Sequence, residues 1–144
     1  MGIYLDHNAS TPIAPEVAAA IRTASEGAFG NPSAAHWAGR PARERLESAR
    51  ARVAALLGCS PDEIVLTSGG SEANNLILKG VFEQSAIARP HFVTSAVEHP
   101  AITQPLAWLE RRGARVTWLP VDGHGRVAPA DLEAALGPET VLVS

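Results

Sequence analysis

Residues 64–75, Ile-Val-Leu-Thr-Ser-Gly-Gly-Ser-Glu-Ala-Asn-Asn, contain the segment that decides the fold. The apolar run 64–66 predicts a strand, and Gly69, Gly70 and Ser71 predict a tight turn into a helix. The first N–H groups of a helix have no intrahelical partner, and the helix dipole favours negative charge beside them. Glycine has no Cβ, so an anion can approach the backbone closely, and a serine hydroxyl adds a donor. The segment therefore predicts a strand–turn–helix unit with an anion site that suits a phosphate group.

The chain on either side of this turn alternates between strands and helices. Helices are predicted at 16–26, 40–57, 72–82, 100–112 and 130–136, and strands at 64–66, 91–94, 115–119 and 141–143. Strands that alternate with helices of this length predict βαβ units, a mainly parallel sheet and an α/β layered domain. The last predicted strand is apolar, and a parallel strand buried on both faces needs cover from following elements. We therefore expect the chain to be cut off within a larger domain.

Composition narrows the classes of function. The 144 residues are 46% hydrophobic and 19% charged, which is typical of a globular protein with a core. The net charge is −3 and no basic tract stands out, so nucleic acid is not an expected partner. A single cysteine fits a reducing compartment, and neither a signal peptide nor a membrane-spanning run is visible. These features predict a cytoplasmic protein without a membrane partner.

Candidate binding residues follow two successive predicted strands. Gly70 and Ser71 follow the first, and His99 follows the second. Ligands of open parallel sheets bind beyond the carboxyl ends of the strands, so we expect both to face one ligand. A phosphate would lie at the turn and a flat ring under the imidazole. Taken alone, each feature has a plainer interpretation: a serine N-cap at the turn, and a structural histidine before Pro100.

At these positions the sequence resembles the cysteine desulfurases, within the class V aminotransferases of fold type I. Four motifs stand in family order and at family-like spacing: Tyr4-Leu5-Asp6-x-Asn8-Ala9-x-Thr11-Pro12, Gly30-Asn31-Pro32-Ser33-x-x-His36, Thr67-Ser68-Gly69-Gly70-Ser71-Glu72-Ala73-x-Asn75 and Glu98-His99. The resemblance covers the chain from Ile3 to Ser144. It implies a partial large domain of the PLP-transferase fold type I, with a mainly parallel sheet and flanking helices, lacking its C-terminal part. Residues 1–14 would be an N-terminal arm and residues 15–144 an incomplete PLP-binding domain.

The resemblance also implies the chemistry. The cofactor would be pyridoxal 5′-phosphate (PLP), with Gly70 and Ser71 holding its phosphate; the family usually has threonine where Ser71 stands. His99 would stack on the pyridine ring and take part in proton transfer, as a cofactor-binding and catalytic residue. Such a transferase converts L-cysteine to L-alanine and passes the sulfur to an enzyme cysteine as a persulfide, for iron–sulfur cluster assembly or other sulfur transfer. A homodimer and a sulfur-acceptor protein are the implied partners.

The resemblance implies four functional groups that have no counterpart in this sequence: the Schiff-base lysine, the aspartate paired with the pyridine nitrogen, the persulfide cysteine and the arginine that binds the substrate carboxylate. Lys79 stands at a non-catalytic helix position, where a solvated or snorkelling role is expected. Cys59 follows the helix stop at Gly58 and is expected to be a small buried residue. We therefore expect the isolated chain to be inactive. Two alternatives remain: a selenocysteine lyase or other class V enzyme, and a non-catalytic split or decayed fragment that binds a partner.

The remaining residue types favour structural roles. The scattered His7, His91 and His124 have no metal-ligand spacing, so no metal site is predicted. His36 is expected to pack within its loop. The three tryptophans, at 37, 108 and 118, are expected to pack in or near the core. The arginine-rich stretch 40–52 is expected to be a charged helix face with local ion pairs.

Overall fold

The computed structural model describes residues 2–144, which form two compact units, one ending at Leu66 and the other spanning Thr67–Ser144. The helices are α1 (Pro15–Gly27), α2 (Gly39–Leu57), α3 (Gly70–Gln84), α4 (Pro100–Arg111) and α5 (Pro129–Ala135), and a 3₁₀ helix covers Pro61–Glu63. The strands are β1 (His91–Ser95), β2 (Arg115–Leu119) and β3 (Thr140–Val143). This order confirms the predicted α/β class. None of the described helices combines the length and apolarity needed to span a membrane.

The strands of the second unit form one parallel sheet in the order β2-β1-β3. Phe92 of β1 is aligned with Val116 on one side and with Leu142 on the other. The central strand is buried along its whole length. Consecutive parallel strands need a crossover, and α4 and α5 supply the crossovers here. The predicted mainly parallel sheet is confirmed.

The core of this unit lies between the sheet and the helices α3 and α4. Phe92 from β1, Leu78 from α3 and Leu106 from α4 are almost completely buried in one cluster. The two helices run in the same direction, because Asn75 shares a groove with Ala101 near their beginnings and Glu83 bonds to Arg112 at their ends. Both helices therefore begin at the same end of the unit.

One predicted strand is wrong. Residues 64–66 are extended, but no strand among the described residues pairs with them. Val65 is 68% exposed, and the Ile64 carbonyl accepts a hydrogen bond from the Arg50 side chain. An apolar run becomes a strand only where a neighbouring backbone supplies ladder hydrogen bonds, and residues 2–144 offer no such neighbour to this run.

Burial differs from prediction at two tryptophans and at the cysteine. Trp37 is 77% exposed, with its ring edge-on to the exposed Phe29 at 6.2 Å between ring centres. Trp118 lies on the edge strand β2 and is 36% exposed, whereas Trp108 packs against the core as expected. Cys59 is half-buried. A loop and an edge strand offer fewer neighbours than a sheet interior, so these large or apolar side chains stay accessible.

The first unit is built from α1, α2 and the 3₁₀ helix. Gly58 ends α2 with a φ of 71°, the left-handed conformation that glycine adopts without strain. Along α2 the predicted local ion pairs are present, joining Arg40 to Glu44 and Arg50 to Glu47. Residues 2–14 form neither helix nor strand. The division into an arm at 1–14 and an incomplete domain at 15–144 stays a prediction.

Candidate active site

The turn before α3 presents open backbone donors. Its first helical hydrogen bond runs from the Ala73 N–H to the Gly69 carbonyl at 3.1 Å, so the N–H groups of Gly70, Ser71 and Glu72 precede the helical ladder. A Cβ placed on Gly70 would meet no atom within 4 Å, and Ser71 is exposed. The turn is therefore open on the Cβ side of Gly70 and at Ser71. Backbone N–H groups, a hydroxyl and a helix dipole are the donor set that binds phosphate at helix N-termini.

Glu72 braces this turn, a role that the sequence reasoning missed. Its Oε2 accepts hydrogen bonds from the Ser68 N–H at 2.7 Å and from the Ser68 hydroxyl at 2.6 Å. The hydroxyl bond, then the backbone bond, lowers the pKa of the Glu72 carboxyl below its ordinary value of 4.5. The signal was present in the sequence, since a serine followed by a glutamate at a helix start is typical of a capping box, here one residue longer than usual.

His99 is the N-cap of α4. Its Nδ1 accepts a hydrogen bond from the Ala101 N–H at 3.0 Å, while Pro100, the first helical residue, has no N–H to offer. The neutral ring that accepts at Nδ1 carries its proton on Nε2. The side chain is exposed. Just before it, the Ser95 hydroxyl donates to Glu98 Oε1 at 3.1 Å, which ties the end of β1 to this segment.

The turn and the histidine lie at the same end of the second unit. α3 and α4 are neighbouring parallel helices, and Gly70–Ser71 begins one while His99 caps the other. One helical turn further on, Asn74 of α3 and Ile102 of α4 line a groove of about 180 Å³ that the end of β3 completes. The structure thus brings the predicted cofactor-binding residues to adjacent helix starts beyond the carboxyl end of the sheet. Their roles in binding and catalysis stay predictions.

His91 has a structural position away from these helix starts, at the beginning of β1. It is fully buried, with Nδ1 2.9 Å from the Thr140 hydroxyl and Nε2 2.8 Å from the Thr117 hydroxyl. The imidazole therefore links all three strands. Burial lowers its pKa below 6.5, the positive charge of Arg115 lowers it further, and Glu139 opposes the shift. The sequence did contain a sign of this structural role, since His91 begins a run that is otherwise typical of a buried strand.

Lys79 contacts an aromatic ring, and the loop after α1 is tightly packed at Gly30. The exposed Lys79 lies with Nζ 5.2 Å from the centre of the Trp108 ring, a cation–π distance. In the loop, a Cβ on Gly30 would lie 1.9 Å from the carbonyl oxygen of Ala38, so only glycine fits there. The predicted packing of His36 is wrong, because its side chain is exposed and only its carbonyl joins the loop, by accepting the Gly39 N–H at 3.0 Å. Among residues 2–144, no group of three or more potential metal ligands comes together.

Comparison with known proteins shows which family this chain belongs to. The model of the family described as aminotransferase class-V matches residues 3–144. This chain belongs to the class V aminotransferases. It is 44% identical over 142 residues to a cysteine desulfurase IscS of Dictyoglomus turgidum and 42% identical over 156 residues to a selenocysteine lyase of Xenopus tropicalis. Each alignment covers 99% of this chain and 36% of the relative.

The fold of this class V aminotransferase chain agrees with a solved structure. A NifS-like protein superimposes with a TM-score of 0.91 at 36% identity, over 99% of this chain and 39% of that one. The match confirms the fold expected from the four motifs, that of the N-terminal part of NifS-like proteins of PLP fold type I. The chain spans little more than a third of the length of these relatives.

Proposed function

We propose that residues 2–144 form the N-terminal part of a PLP-dependent cysteine desulfurase. The observation that carries this proposal is the joint position of Gly70–Ser71 and His99 at adjacent helix starts in a chain of this family. A phosphate-binding turn alone is common, and so is a histidine N-cap. Together, at one end of a parallel sheet, they suit the two ends of a flat phosphorylated ring.

The residues of this end of the unit fit PLP in their chemistry. The N–H groups of Gly70 and Ser71 and the Ser71 hydroxyl would bind the phosphate, and the exposed imidazole of His99 would lie against the ring. When bound, PLP supplies an electron sink for reactions at the substrate carbon next to the amino group. The cap bond at Nδ1 fixes the His99 ring, so that a proton taken or given by this residue passes through Nε2.

The substrate and partners of the whole protein belong to the same proposal. The expected reaction converts L-cysteine to L-alanine and leaves the sulfur on an enzyme cysteine as a persulfide, ready for a sulfur-acceptor protein in iron–sulfur cluster assembly. The identity to a cysteine desulfurase supports it. We expect a cytoplasmic homodimer. The second candidate is a selenocysteine lyase, favoured by the 42% identity to the Xenopus tropicalis protein.

The cofactor site is tested by titrating the chain with pyridoxine 5′-phosphate. This probe has no aldehyde, so it does not react with Lys79. We expect the backbone amide resonances of Gly70 and Ser71 and the ring protons of His99 to shift, and pyridoxine without the phosphate to shift the amides far less. Ser71→Ala removes one hydrogen bond to a charged group and should weaken binding about tenfold, or about 1.4 kcal/mol. Ser25→Ala, an exposed helical serine elsewhere, is the matched control. Shifts scattered over the surface would contradict the site.

The substrate is tested in two chimeras. This chain replaces the segment that it matches in the Dictyoglomus turgidum desulfurase and, separately, in the Xenopus tropicalis selenocysteine lyase, and absorbance confirms that each chimera holds PLP. Each host supplies the catalytic groups that this chain lacks, so each chimera is compared with its own host. Sulfide release from L-cysteine at close to the host rate in the first chimera, with little selenide release in the second, supports the desulfurase. The reverse pattern favours the lyase, and two folded chimeras that hold PLP and accept neither substrate overturn both candidates.

A further inference from the structure

The carboxylate of Glu72 holds the chain immediately before the turn. Both of its hydrogen bonds end on Ser68, one on the backbone N–H and one on the hydroxyl, at 2.7 and 2.6 Å. They close a short loop that contains Gly69 and Gly70. Since hydrogen bonds to an ionised acceptor are stronger than neutral ones, Ser68 cannot move relative to the first turn of α3 without losing two strong contacts.

The turn has little else to hold it. Gly69 has a φ of 157°, a backbone conformation that residues with a side chain rarely adopt. A Cβ at Gly69 or at Gly70 would meet no atom within 4 Å, so no neighbouring group packs on that side of these two glycines, which have no side chain of their own to hold them. The other local contacts end on the Gly69 carbonyl, which accepts the first helical bond from the Ala73 N–H at 3.1 Å and a bond from the Thr67 hydroxyl at 3.2 Å.

We propose that Glu72 is a positioning residue, which holds Ser68 and thereby fixes the turn that presents Gly70 and Ser71 to the cofactor phosphate. The proposal rests on the proposed function, which supplies the phosphate. It also assigns the two serines different roles. The Ser68 hydroxyl donates to Glu72 and is engaged, whereas the exposed Ser71 hydroxyl is the one that reaches the ligand.

The charge of Glu72 and its acceptor atoms have opposite effects on a bound phosphate. The bonds from Ser68 lower the Glu72 pKa, so the group is a carboxylate at neutral pH. A negative charge in the first turn repels a phosphate, while the fixed turn favours it. Glu72→Gln keeps an acceptor oxygen and removes the charge. Positioning therefore predicts that glutamine preserves or improves phosphate binding and that alanine impairs it.

The test compares variants of the full chain in the pyridoxine 5′-phosphate titration. We expect Glu72→Ala to weaken binding about tenfold, and Glu72→Gln to bind at least as tightly as the wild type. Glu63→Ala is the matched control, because Glu63 makes the same kind of bond to the Ser60 N–H, at 2.8 Å, beside the 3₁₀ helix. Its affinity should equal that of the wild type. Amide hydrogen exchange reports the turn directly, and Glu72→Ala should speed exchange at Ser68.

The outcomes separate the two proposals. A wild-type chain that does not bind the probe overturns both. A wild-type chain that binds, with Glu72→Ala binding equally well, overturns positioning and leaves the proposed function intact. If Glu72→Ala loses its dispersed amide spectrum, Glu72→Gln decides: tight binding supports positioning, and a tenfold loss in a folded glutamine variant contradicts it.

Discussion

Lowering the pH below about 6.5 should destabilise the unit Thr67–Ser144 through His91. The imidazole is fully buried, and its two nitrogens are bonded to the hydroxyls of Thr117 and Thr140. Burial is the main cause of its lowered pKa, with Arg115 adding to the shift and Glu139 opposing it. A protonated ring must donate at both nitrogens and must carry a charge in the sheet interior. The folded state therefore resists protonation.

The sign and the size of the pH effect on the unfolding free energy follow from the linkage between protonation and folding. The unfolded chain takes up the proton near the ordinary pKa of 6.5, while the folded chain does so only at its lower pKa. The stabilisation is complete above pH 6.5 and is lost as the pH falls from there to the folded pKa. Within that window one proton gives a slope of at most about 1.4 kcal/mol of unfolding free energy per pH unit.

The assay is urea unfolding between pH 8 and pH 5, followed by the tryptophan fluorescence of a Trp37→Phe background, in which Trp108 and Trp118 of this unit give the signal. His91→Gln removes the titration and retains a donor and an acceptor, so its unfolding free energy should show a shallower pH dependence below 6.5. His124→Gln, at an exposed loop position, is the matched control and should keep the wild-type slope. Equal slopes for the wild type and His91→Gln would refute the reasoning.

Two further predictions concern packing. Leu106 is fully buried between α4 and the sheet, so Leu106→Ala should lower the unfolding free energy by about 3–5 kcal/mol, measured in urea; a loss below about 1 kcal/mol would mean that the core collapses around the gap. Gly30→Ala places a Cβ 1.9 Å from the Ala38 carbonyl oxygen and should lower the melting temperature of the first unit. Gly80→Ala, inside α3 with open space around the new Cβ, should instead stabilise the chain by up to about 1 kcal/mol. The reverse order of the two melting temperatures would contradict both assignments.

Sequence periodicity predicted the helices and strands that depend mostly on contacts within the same helix or within one βα unit. Helices α2, α3 and α4 were placed within two residues, because apolar spacing, Gly58 and Pro100 mark their faces and ends. Strand β1 was found because an apolar run between two helices is typical of a buried parallel strand. The glycine–serine turn into α3 was also predicted, since two glycines and a serine at a helix start have a local physical meaning, and the anion site there stays a prediction.

The wrong predictions concern features that depend on contacts with distant parts of the chain, which the local sequence does not reveal. Residues 64–66 have the composition of a strand, but pairing requires a neighbouring backbone. Trp37 has the size of a core residue, yet its loop position leaves it exposed. The roles of His91 and Glu72 were missed for a related reason. Each depends on hydroxyl groups brought within 3 Å, in the case of Thr140 from 49 residues away.

The central place of β1 has a consequence for biosynthesis. A ribosome produces this strand before both of its neighbours, and Thr140, which pairs with its first residue, emerges 49 residues later. Both edges of β1 stay unpaired until β2 emerges, and one edge stays unpaired until β3 emerges, and an unpaired edge is the form of backbone most prone to intermolecular association. Chaperone binding during translation should therefore be strongest after residue 95 has left the exit tunnel and should decline once β3 has docked.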